Sequence, residues 1–202
     1  MHEFGHLEAL LQQAHPGKKL VVRNLSWAAD EVDLQPRPAN FANAEQHLTA
    51  MQADVLLAAF GFNESFAGKE GLPAFRERLT KYLEGVKAKA YNGKTSARVV
   101  LISPIANENV KGVDAADRNN ANIRAYLKVM KEVAVEQKVG FVDAFTATRK
   151  AMASPGNDLT MNGAHLNEKG YQLFAATVFK QLFGKDARKL DEEVRTAVME
   201  KN

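Results

Sequence analysis

The stretch that most constrains this chain is residues 54–66, DVLLAAFGFNESF. It opens with Val55-Leu56-Leu57-Ala58-Ala59-Phe60, apolar or small residues with no alternating polar position. A short continuous run of this kind suits a strand buried on both faces, as in a parallel sheet. The character then changes to Gly61-Phe62-Asn63-Glu64-Ser65. Open α/β sheets bind their ligands at the C-terminal ends of such strands, which makes this turn a candidate site. The plain alternative is that Asn63 caps a turn or the next helix, positions that asparagine favours.

The remaining pattern places this strand in a series. Phe4, Leu7, Leu10 and Leu11 recur at helical spacing over 3–14, and His15-Pro16-Gly17 ends the run. Residues 19–23 (KLVVR) read as a short strand, 43–51 as a helix and about 70–91 as a long helix striped by Leu72, Phe75, Leu79, Leu83 and Val86. A strand over 97–103 ends at Pro104, and a helix follows over 120–137. Then come a strand over 139–143, a short helix, and a helix over 168–183. The charged segment at about 186–200 reads as a solvated helix. Strands alternating with amphipathic helices predict an α/β fold: a three-layer α/β/α sandwich with a mainly parallel sheet and right-handed crossovers. With no repeat and no linker, residues 1–202 read as a single domain.

Composition excludes several classes. At 202 residues, 46% hydrophobic and 25% charged, the chain can bury a full core. A net charge of +3 is small and scattered, so it gives no footprint for nucleic acid. No apolar run is long enough to span a bilayer as a helix. There is no cysteine, hence no thiolate metal site. The N-terminus lacks the basic region and cleavage site of a signal peptide. His2-Glu3-Phe4-Gly5-His6 does match the H-E-x-x-H zinc-peptidase pattern. The extended pattern, however, needs glycine and histidine where the chain has Ala9 and Gln12. These residues are therefore read as the exposed face of a helix whose other face holds Phe4 and Leu7, and neither a metal nor a cofactor is expected.

Two further stretches carry candidate chemistry. In Asn162-Gly163-Ala164-His165-Leu166-Asn167 a histidine precedes an amphipathic helix that Asn167 can cap. A histidine at the mouth of a sheet can serve as a general base. The other stretch, Asn24-Leu25-Ser26-Trp27-Ala28-Ala29-Asp30, follows the KLVVR segment and would offer backbone N–H groups beside the Gly61 turn.

Taken in order, these three stretches resemble the blocks of the SGNH (GDSL-type) hydrolases over nearly the whole chain. The 24–29 stretch looks like the family's second block, with Ala29 at the position of a glycine whose N–H lines the oxyanion hole. Gly61-Phe62-Asn63-Glu64 looks like the third, with Asn63 as a further oxyanion donor. Asn162-Gly163-Ala164-His165-Leu166 looks like the last, which supplies acid and base. The resemblance implies a flavodoxin-like sheet and serine-type cleavage of carboxylic esters, for instance acetyl groups on a carbohydrate. His165 would be the base, and Gly61, Phe62 and Ser26 would lie at the substrate. The partner it implies is a small-molecule or carbohydrate ester.

The chain departs from the family at two points. No Gly-Asp-Ser block precedes the first helix. The first strand and its serine are therefore expected on a segment before residue 1, which could also carry a secretion signal. A sheet without that strand would have an open edge, which invites pairing. Ser26 ends an apolar segment, but its distance to Asn63 suits the second block. Asn162 stands where the family has aspartate. In the serine-protease triad an Asp-to-Asn change costs about ten-thousand-fold in turnover, through the wrong imidazole tautomer. The alternative is thus a non-catalytic domain, a pseudoenzyme that keeps the pocket to bind a ligand or glycan.

Overall fold

The computed structural model describes residues 4–154 and 156–201. Their elements run α1 (His6–Ala14), α2 (Ala44–Ala50), β1 (Val55–Ala59), a 3-10 helix (Glu64–Gly71), α3 (Leu72–Lys87), β2 (Arg98–Ile102), α4 (Ala116–Gln137), β3 (Gly140–Val142), α5 (Ala144–Met152), α6 (Glu168–Phe183) and α7 (Glu192–Lys201). The chain divides into two compact units. One is drawn from Met1–Asn24, Ile105–Asp117 and Asp143–Asn202, the other from Leu25–Pro104 and Arg118–Val142.

The second unit holds the sheet. Its three strands are parallel, in the order β1-β2-β3, and helices flank them. Leu56 pairs with Val99 and Ala58 with Leu101, so these four side chains share a face. They form one core with Phe75, Leu79, Leu83 and Val86 of α3 and Tyr126, Met130 and Val133 of α4. The α3 residues recur every three or four positions, the spacing that puts them on one stripe. Pro73 begins that helix, where its missing N–H costs no hydrogen bond.

The predicted strand at 19–23 is not a strand. Those residues join no ladder among the described residues, and Val21 is 72% exposed. Strand preference depends on a pairing neighbour as well as a half-buried face, and although Leu20 and Val22 are half-buried the segment has no such neighbour among the described residues.

In the first unit α1 packs against α6 and α7, and α5 against α6. The charged C-terminal helix is therefore more than a solvated face: Val198 is buried, and Lys201 pairs with Glu8. His2 and Glu3 lie outside the described residues. His6 is buried rather than exposed, which corrects that expectation. Neither of its ring nitrogens makes a hydrogen bond among the described residues, and the Glu168 carboxylate stands 3.7 Å from Nε2. Burial, followed by the nearby charge of Arg195, holds its pKa below the ordinary histidine value, against the pull of Glu168 and Glu192. Among the described residues no helix is long and apolar enough to cross a membrane.

Candidate active site

Within the second unit the structure brings the Ala29 turn and Asn63 together. Residues 27–30 form a tight turn in which the Asp30 N–H donates to the Trp27 carbonyl at 3.3 Å. Ala29 sits at φ 65°, the left-handed region that favours glycine. Its N–H makes no hydrogen bond among the described residues, and the residue is exposed. The Asn63 side chain does not cap the 3-10 helix that follows it; its Nδ2 instead donates to the Asp30 carbonyl at 3.2 Å.

Two acidic side chains hold these turns. Asp30 accepts the Trp27 N–H at 3.0 Å and a bidentate pair from Arg37 at 2.7 and 2.8 Å. The two side chains are only 12% and 10% exposed. Burial alone would raise the Asp30 carboxyl, but the Arg37 hydrogen bonds, the Trp27 N–H and the Arg37 charge outweigh it and hold the group below its ordinary value.

Glu64 is 7% exposed and gathers two backbone donors, Val32 N–H at 3.0 Å and Gly61 N–H at 2.8 Å. It thereby ties the loop after Asp30 to the turn before Asn63. Burial pushes its carboxyl above the ordinary value, against the N–H groups of Glu64 itself, Val32 and Gly61, while the charge of Glu31 adds to the rise. Gly61 has φ 98°, and a Cβ there would lie 3.2 Å from Met130 Sδ, so glycine alone suits this turn. Phe62 and Phe66 stack edge to face, with centroids 5.5 Å apart. Ser26 is exposed.

Within the first unit His165 rides on a small loop closed by a Thr160–Leu166 bridge. Glu108 organises that loop. Its carboxylate accepts the Leu159 N–H at 3.1 Å, the Thr160 N–H at 2.8 Å and the Thr160 hydroxyl at 2.5 Å. The Glu108 N–H and Asn107 Nδ2 both donate to the Gly163 carbonyl, at 2.9 and 2.6 Å. Gly163 has φ 88°, and a Cβ there would meet the Glu108 carbonyl at 2.7 Å. Asn167 caps α6 as its sequence context predicts, its oxygen accepting the Gly170 N–H at 2.9 Å.

Asn162 and His165 are brought into direct contact. Asn162 Oδ1 accepts the Ala164 and His165 N–H groups at 3.2 and 3.0 Å, and lies 3.0 Å from His165 Nδ1. Only the oxygen of an amide can accept, so the two backbone donors decide which end faces the ring. A hydrogen bond to that oxygen then requires the proton on Nδ1 and leaves the lone pair on Nε2. Nε2 is the nitrogen a general base needs, and it makes no hydrogen bond among the described residues. The amide therefore favours the same tautomer an aspartate would, and lacks only the charge that stabilises imidazolium.

Sequence reading assigned no role to Glu108, Asn107 or Arg37, and none to Glu64 beyond its place after Asn63. Glu108 and Asn107 act on residues more than fifty positions away, so local pattern carries no trace of them. The acid after Asn63 was the one signal available.

The model of the GDSL-like lipase/acylhydrolase family matches residues 2–173. The chain belongs to that family. The fold of this GDSL-like protein is also found in solved structures. One is a mutant of Axe2, an acetyl-xylooligosaccharide esterase from Geobacillus stearothermophilus, at 17% identity and a TM-score of 0.67, covering 91% of this chain and 82% of that one. A catalytic mutant of the same acetylxylan esterase matches at 18% identity and a TM-score of 0.55, over 72% of this chain and 66% of that one. Among curated proteins none matches in sequence.

Proposed function

We propose that this GDSL-like protein is an esterase that cleaves short acyl groups, such as acetyl, from a carbohydrate or similar alcohol by serine-type acyl transfer. His165 takes the proton of the attacking hydroxyl at Nε2 and returns it to the leaving alkoxide. The Ala29 N–H and Asn63 Nδ2 donate to the oxyanion, and Asn162 holds the imidazole. The observation that carries this reading is the Asn162–His165 contact at 3.0 Å, with the amide oxygen fixed by two backbone donors. The acetylxylan esterases that share the fold support the acetyl and carbohydrate part of it.

The chain contains no Gly-Asp-Ser block, and that favours a second reading, a ligand-binding domain without a nucleophile. Ser65 and Ser103 are buried, with their hydroxyls donated to the carbonyls of Phe62 and Pro104. Ser26, Ser96 and Ser154 are exposed. Treatment with a fluorophosphonate probe, followed by peptide mapping, separates the two readings. The esterase reading expects an adduct on one serine that is lost in His165→Ala. A folded chain that takes no adduct overturns that reading for these 202 residues. It leaves either a binding domain or an enzyme whose first strand lies outside them, which the same test on an N-terminally extended chain separates.

A further inference from the structure

Beside the Asn63 turn stands a row of aromatic side chains that the reading above does not use. Trp27 and Phe41 are each 45% exposed, with ring centroids 5.4 Å apart and planes at 62°. Phe41 continues the row to His47, whose ring centroid is again 5.4 Å away. Aromatic side chains of this size normally contribute to folding by burial, so a contiguous half-exposed set marks a contact surface.

The row is also held rigidly. The Trp27 N–H is fixed on Asp30, and the Arg37 guanidinium lies 4.9 Å from the Trp27 ring centroid while clamped to the same Asp30. The Phe41 N–H donates to the Pro38 carbonyl at 3.1 Å. His47 belongs to α2, whose start is closed by a reciprocal Asn43–Gln46 capping box. Rings fixed before a ligand arrives lose little freedom when it binds.

We propose that Trp27 and Phe41, flanked by His47, are a stacking platform for a neutral sugar ring of the substrate's alcohol portion. The proposal rests on the esterase reading of the same turn and specifies what lies beyond the ester bond. Continuity carries it first. Asp30 joins the two features, its carboxylate accepting the Trp27 N–H and its carbonyl accepting Asn63 Nδ2. A sugar on the platform would therefore lie next to the proposed oxyanion donors. Charge carries it second. The cation of the patch, Arg37, is spent on Asp30, so the surface offers no net charge to an anionic polymer. Chemistry carries it third. The row presents aromatic rings rather than aliphatic side chains, and the C–H faces of a sugar pack on aromatic rings while its hydroxyls stay in water.

Trp27 is the one tryptophan of the chain, so its fluorescence reports on this surface alone. The test is a titration of the full chain with a xylo-oligosaccharide that carries no ester. The expected result is a saturable change in emission. Phe41→Ala should weaken the apparent Kd about five-fold, as loss of one stacking partner does, while Phe41→Tyr keeps it. Circular dichroism confirms that each variant is folded. No saturable change in the folded wild type overturns the proposal. A response to octanoate with none to the sugar also overturns it, and assigns the row to an acyl chain. An emission change on dilution alone, with a dimer in sedimentation, overturns it in favour of a second copy. Because the titrant has no ester, each outcome stands whether or not the fluorophosphonate experiment finds a nucleophile.

Discussion

The turn that bears Asn63 and the loop that bears His165 are built by the same device in two different settings. In each, one glutamate accepts backbone N–H groups, at least one of them from more than thirty positions away. Glu64 does this at 7% exposure for Val32 and Gly61, and Glu108 does it half-buried for Leu159 and Thr160. The difference is access to water. The Glu108 carboxylate is half-exposed, so water can enter the place it leaves, whereas buried Glu64 leaves a place closed to water, although the donors of both lie on buried residues. The first turn is thus held by a costly, water-excluded anchor, and the second by a cheaper one that leaves the histidine exposed.

The largest expected effect tests that contrast directly. Both variants strand N–H groups of buried residues, but Glu64→Ala should cost about 3 kcal/mol and Glu108→Ala less, about 2 kcal/mol, because water can enter the half-exposed place of the Glu108 carboxylate. Urea denaturation of both variants measures the difference, and equal losses would break the comparison.

The pH response sharpens it. Glu64 has a folded pKa raised above its unfolded value, so the folded state binds more protons between the two. Its contribution to stability is complete below the unfolded value, and it is lost as pH rises through the folded value. Glu64→Gln should remove that slope from a stability profile taken upward from about pH 4, near the unfolded glutamate value. Glu108→Gln should leave the slope in place, and a slope that survives Glu64→Gln would refute the assignment.

The smallest effect concerns Asn162. Asn162→Ala should cost less than about 1 kcal/mol, since it removes an exposed side chain. It should nonetheless shift neutral His165 from the Nδ1–H tautomer toward the Nε2–H form. Nitrogen-15 NMR of the ring reads that change. An unchanged tautomer would show that the amide does not orient the base.

The residues of the proposed site come from short stretches of the chain. Gly61, Asn63, Ala29, Asn162 and His165 were all singled out by short motifs; the Asn63–Asp30 bond is made only by the fold, whereas the Asn162–His165 contact and the Gly61 and Ala29 conformations are local. Asn167 was legible for the same reason, since an N-cap bonds a residue three positions on. The Val32 bond of Glu64 and the bonds of Glu108 were not legible, because the fold brings those partners together across more than thirty positions.

By itself the sequence determined the α/β alternation, the buried parallel strands β1 and β2, the helical stripe of α3 and membership in a hydrolase family. The elements follow from periodicity and local chemistry, which a linear reading preserves, and the family from the resemblance of short motifs. Only the tertiary structure decided that residues 19–23 pair with no strand among the described residues, because a strand is defined by a neighbour that propensity cannot supply. It alone decided that His6 is buried, because a helix pattern does not say which helix will cover it. It also decided that a half-exposed aromatic row stands beside Asn63, since contacts across tens of residues fix which side chains share a surface.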